Sequence, residues 1–135
     1  MSAALSEAKA GGARGERPDG AVAVIDDALV ARGHEQVHAT GDPTAHAPMV
    51  VVREAARRLG RTSLAGVTVF AVREPCAMCI GALLESDADG LVFALTDPTA
   101  GGAGAASASA AAGSGRRLAV VSGIMSAQAG ELLGS

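Results

Sequence analysis

Apolar and polar positions alternate with two different periods along this chain, and the changes of period mark its elements. Leu5 and the alanines of Ala3–Ala10 form a helical face, and Gly11, Gly12 and Gly15 are expected to weaken the helix beyond Ala10. Arg17-Pro18-Asp19-Gly20 is turn chemistry. Ala21–Ile25 and Ala28–Ala31, parted by Asp26-Asp27, predict a hairpin. Arg32–Gly41 reads as a polar loop holding His34, Glu35 and His38. Asp42-Pro43 looks like a helix start. Val51, Ala55 and Leu59 then recur at helical spacing up to Gly60. Val67–Val72 and Leu91–Leu95 read as strands flanking a short helix over Cys76–Leu84. Leu118–Val121 reads as a last strand and Met125–Leu133 as a last helix. This order predicts an α/β fold, a three-layer α/β/α sandwich around a mixed five-stranded sheet.

Composition narrows the possibilities. At 135 residues the expectation is a single domain over 1–135, with a flexible Gly/Ala/Ser-rich loop at about 96–115. Hydrophobic residues make up 49%, which excludes wholesale disorder. With no Trp or Tyr and only two Phe, Val, Leu, Ile and Met must fill the core. The net charge of -3 carries no basic footprint, so no nucleic acid partner is expected. The apolar runs are short and broken by charge, so no membrane span is expected. Met1–Ala10 lacks the layout of a signal peptide, and a cytoplasmic location is the expectation.

Both cysteines of the chain, Cys76 and Cys79, sit three residues apart at a predicted helix start. Their sulfurs then share a face, and the helix N-terminus favours thiolates. A thioredoxin-like redox pair would come after the first strand of its fold, whereas this pair comes after the third. His46 lies near the start of another helix. If the two helices pack together, one imidazole and two thiolates converge, leaving the fourth position of a zinc ion open, the geometry of a catalytic site.

Asp42-Pro43-Thr44-Ala45-His46-Ala47 and Glu74-Pro75-Cys76-Ala77-Met78-Cys79 resemble the zinc signature of the cytidine-deaminase-like superfamily, H-x-E…P-C-x-x-C. The branch indicated contains guanine deaminases and tRNA adenosine deaminases. Pro18-Asp19-Gly20-Ala21, Ala31-Arg32-Gly33 and Thr96-Asp97-Pro98 add to the match. The resemblance implies Zn(2+) on His46, Cys76 and Cys79, a homodimer, and hydrolytic deamination of a small-molecule heterocyclic substrate: a nucleobase, nucleoside or related aminoheterocycle.

The chain departs from the signature at Pro48, where the family carries the glutamate that moves protons. Ala47 and Met49 offer no substitute by a one-residue slip. Glu35 stands where the family's substrate-binding asparagine aligns, so it is the candidate replacement base, ahead of Asp42. A solvated loop carboxylate is the plainer reading of Glu35. Three readings are open: a deaminase with a non-standard base, an inactive homologue keeping zinc as a staple, or a diverged enzyme using zinc as a Lewis acid. His34 and His38 read as pocket-lining or exposed loop residues, Glu74 as orienting loop backbone, and Met78 as core. A helix begun at Pro43 would put Pro48 inside it, at a cost of about 3 kcal/mol, unless the helix starts late, near Ala47, or kinks.

Overall fold

The computed structural model describes residues 1–99, 101–102 and 117–133. Helix α1 (Ser2–Ala13) leads into strands β1 (Gly20–Ile25) and β2 (Ala28–His34), followed by a short helix α2 (Val37–Thr40) and helix α3 (Ala47–Leu59). Strand β3 (Thr68–Arg73), helix α4 (Ala77–Glu85), strand β4 (Gly90–Leu95), strand β5 (Ala119–Ser122) and helix α5 (Ser126–Leu132) complete the order. The sheet runs β2-β1-β3-β4-β5. Strand β1 is antiparallel to both neighbours, whereas β3, β4 and β5 are parallel. The sheet is therefore mixed and five-stranded, as the element order predicts.

Strand alternation divides the core in two. Ala21, Ala23, Val69, Ala71, Leu91 and Phe93 face α3 and α4, packing with Val51, Ala55, Ile80 and Leu83. Val22, Phe70 and Val72 face the other way, toward Ala4 and Ala8 of α1 and Ala129 of α5. Small alanines on the strands let the helices approach closely and compensate for the scarcity of aromatic rings. Asp26 and Asp27 take φ of 49° and 62°, the two left-handed positions of a tight hairpin turn.

Three local expectations change. Helix α1 runs through Gly11 and Gly12 to Ala13. Gly11 lies so close to the His34 ring that an added Cβ would stand 2.9 Å from it, so tertiary contact outweighs weak propensity. Strand β2 continues through Arg32-Gly33-His34, and α2 occupies most of the rest of the expected loop. Glu16 explains the latter: its carboxylate accepts the His38 and Ala39 N–H groups at the open end of α2. Finally, α3 begins at Ala47, not at Pro43. Pro48 thereby falls in the first turn, where its missing N–H costs no helical bond, and the helix needs no kink. The loop expected over 96–115 lies mostly outside the described residues. Its described beginning is an ordered turn, in which the Asp97 carboxylate accepts from Thr99 N–H and Oγ1–H. Among the described residues, no helix is long and apolar enough to cross a membrane.

Candidate metal centre

The parallel strands end on one side of the sheet, and the chain turns there into helices whose N-termini carry the candidate ligands. Arg73, the last residue of β3, leads through Glu74-Pro75 to Cys76, which caps α4 in extended geometry (φ -72°, ψ 174°). Cys79 lies one turn inside α4. His46 caps α3 with φ -69° and ψ 155°. Packing of α3 beside α4 brings the two caps together, and both helix dipoles present their positive ends.

Cys76 Sγ lies 3.5 Å from His46 Nδ1 and 3.7 Å from Cys79 Sγ, and Cys79 Sγ lies 3.7 Å from His46 Nδ1. Zinc bonds of about 2.3 Å to sulfur and about 2.0–2.1 Å to nitrogen give tetrahedral edges of about 3.8 Å (S–S) and about 3.5 Å (S–N). The triangle has the size of one tetrahedral face. Together these atoms form a His/Cys/Cys metal-binding group. Burial, and then the neighbouring Cys76, push the Cys79 thiol far above its ordinary value. A divalent cation in the triangle reverses that preference, because a coordinating thiol gives up its proton.

A cavity of about 20 Å³, room for a single water, adjoins the triangle. Besides the ligands, its walls include Pro48, Asp19, Glu74, Asp97 and Arg17. Asp19 is almost wholly buried and accepts the Arg73 N–H at 3.2 Å. Burial dominates over that bond and over the Arg17 and Arg73 charges, and pushes its carboxyl up to about 7. The Glu74 carboxylate accepts the Asp97 N–H at 3.0 Å, and Gly102 N–H donates to the Pro75 carbonyl at 2.7 Å. A Cβ on Gly102 would stand 2.5 Å from the Ala77 nitrogen, so only glycine lets this strap lie on the start of α4.

His46, Cys76 and Cys79 thus converge as the sequence predicts. Glu35 is buried just beyond β2, its N–H donating to the Asp19 carbonyl, but it does not line the cavity. β1 and β2 pair Gly20 with His34, so Asp19 and Glu35 follow side by side, and it is Asp19 that lines the cavity. Asp42 caps a local turn through Thr44 N–H and Oγ1–H rather than the helix. His34 Nδ1–H donates to Glu7 Oε1, and the His38 N–H donates to Glu16; neither histidine lines the cavity. Met78 is exposed, not core. Asp19 escapes a reading of local sequence because it lies in turn composition, which gives no sign of its burial, and Arg17 and Asp97 because turn residues show no sign of facing a cavity.

The family model for the cytidine and deoxycytidylate deaminase zinc-binding region matches residues 1–95. The chain belongs to this family. It is 37% identical over 134 residues to a tRNA-specific adenosine deaminase of Bacillus subtilis, covering 98% of this chain and 83% of that protein. A tRNA-specific adenosine deaminase of Aquifex aeolicus is 38% identical over 102 residues, covering 76% and 68%. A solved chain from work on A-to-I editing by tRNA:A34 deaminases superposes with a TM-score of 0.91 at 32% identity, covering 98% of this chain and 97% of that one. These relatives act on transfer RNA by name, which corrects the expectation that no nucleic acid is involved. Net charge misleads because a nucleic acid footprint is local. Arg32, Arg53, Arg57 and Arg58 line one groove of about 460 Å³ between β2 and α3 together with Asp42 and Glu54, and each is ion-paired: Arg32 with Glu7, Arg53 with Asp42, and Arg57 and Arg58 with Glu54.

Proposed function

We propose that this deaminase-family chain hydrolyses the exocyclic amine from an adenine carried in transfer RNA. The observation that carries the reading is the His46–Cys76–Cys79 triangle with tetrahedral edges beside a water-sized cavity. The similarity to tRNA-specific adenosine deaminases supplies the substrate class. His46 Nδ1 and the Cys76 and Cys79 sulfurs would hold the zinc. When bound, zinc supplies Lewis-acid activation of a water.

The protein's own residues supply position and exclusion. Pro48 and Pro75 give the cavity rigid walls. Four arginines face two carboxylates, Asp42 and Glu54, in that groove, and this surplus of positive charge supports the RNA reading, since guanidinium groups can exchange such surface ion pairs for phosphate oxygens. Ala45, which lines this groove, precedes His46 in the chain, and this proximity to the triangle supports the reading. We also infer a homodimer, on family resemblance, and a cytoplasmic location. A reducing compartment keeps Cys76 and Cys79 free to act as ligands.

Incubation of the zinc-loaded protein with an anticodon stem-loop containing adenosine tests the reading. Inosine should appear with release of ammonia. Inosine from free adenosine but none from the stem-loop would overturn the RNA part. No deamination of either would leave zinc as a structural element only.

A further inference from the structure

The cavity beside the triangle contains a carboxylate that the family signature does not place there. Besides the three ligands, four acidic or basic groups line it, and three of them have other work. Glu74 holds Asp97 N–H, while Asp97 binds Thr99 and faces Arg17 at 3.8 Å. Asp19 accepts one hydrogen bond, from Arg73 N–H, out of about four that a carboxylate can accept. No buried side-chain oxygen among the described residues lacks a partner, so the rest of the Asp19 carboxylate keeps access to the cavity.

We propose that Asp19 is the acid–base group of this site, carrying protons between the attacking water and the departing amine in place of the residue that Pro48 replaces. The proposal rests on the deaminase reading above. Asp19 enters from the start of β1 and lines the same cavity as Pro48, and its carboxylate is held by the last amide of β3. Glu35, the candidate by alignment, meets Asp19 through the backbone, its N–H donating to the Asp19 carbonyl at 3.2 Å.

Two proton transfers balance the reaction. As the water oxygen bonds to the amine-bearing ring carbon, one water proton passes through Asp19 to the adjacent ring nitrogen. The new hydroxyl then gives its proton through Asp19 to the amine, the C–N bond breaks, and ammonia leaves a carbonyl behind. One water is consumed and nothing is oxidised or reduced.

The test compares wild type, Asp19→Asn, Asp19→Ala, Glu35→Gln and Pro48→Glu as full-length zinc-loaded chains on the adenosine stem-loop. Asp19→Asn should lower kcat by about 10²–10⁴-fold with KM and zinc content unchanged, and formate should partly restore Asp19→Ala. The pH profile of kcat should lose one ionisation in Asp19→Asn that wild type keeps. Should Asp19→Asn misfold, the formate rescue of Asp19→Ala decides instead. Full turnover by Asp19→Asn, a collapse confined to Glu35→Gln, or no response of Asp19→Ala to formate overturns the proposal. An inactive wild type beside an active Pro48→Glu also overturns it while sparing the deaminase reading. Both chains inactive would sink that reading itself.

Discussion

Glu74 accepts the Asp97 N–H at 3.0 Å, and this bond ties the segment after β4 to the residue that introduces the ligand cysteines. The site floor and its cover are thereby one unit. Glu74→Ala should loosen the cover and cost about 1–3 kcal/mol, the usual loss when a charge-assisted bond to a partly buried donor is removed. Thiol-reagent labelling of the zinc-free chain should then modify Cys76 faster than in wild type. Unchanged labelling would show that this bond does not control access to Cys76.

Gly11 supplies a prediction whose sign opposes helix propensity. Alanine inside α1 should gain about 1 kcal/mol by propensity. The new methyl would instead stand 2.9 Å from three atoms of His34, whose ring is held by Glu7. Overpacking of this kind costs about 1–3 kcal/mol, so Gly11→Ala should lower the midpoint of urea unfolding. The same substitution at Gly12 meets nothing nearer than 3.5 Å and should raise it.

Asp19 makes stability depend on pH in an unusual direction. Its carboxyl binds protons more tightly folded than unfolded, so between pH 3.8 and about 7 the native chain holds a proton that the unfolded chain releases. Native stability from this group is therefore greatest at the acid end of that window and declines as pH rises through it. Denaturant titrations of the zinc-free chain should show that decline, and Asp19→Asn should remove it. Equal slopes in the two proteins would mean that Asp19 carries no raised affinity for protons.

The parts legible in the sequence were those fixed by short-range rules. Asp26-Asp27 announced the hairpin because side chains that tolerate left-handed angles are scarce. The His46, Cys76 and Cys79 spacing announced the metal triangle because each ligand sits at a helix start. The features that escaped were set by distant contacts. Arg32-Gly33-His34 has loop composition, yet it pairs with β1 in a strand, and His34 is covered by Gly11 of α1. Helix α3 begins four residues later than Asp42-Pro43 suggests because Asp42 spends its carboxylate on Thr44. Asp19 looks like a turn residue until β3 closes over it.

The triangle of His46, Cys76 and Cys79 bears the whole functional account, and metal analysis combined with zinc X-ray absorption on the purified chain tests it most directly. The account predicts one zinc per chain, bound by two sulfurs at about 2.3 Å and lighter atoms at about 2.0–2.1 Å, with zinc lost in Cys79→Ser. Removal by a chelator should also lower thermal stability, because a ligand that binds only the native state stabilises it. A chain that purifies and stays folded without zinc, and takes up none when it is supplied, would contradict the account.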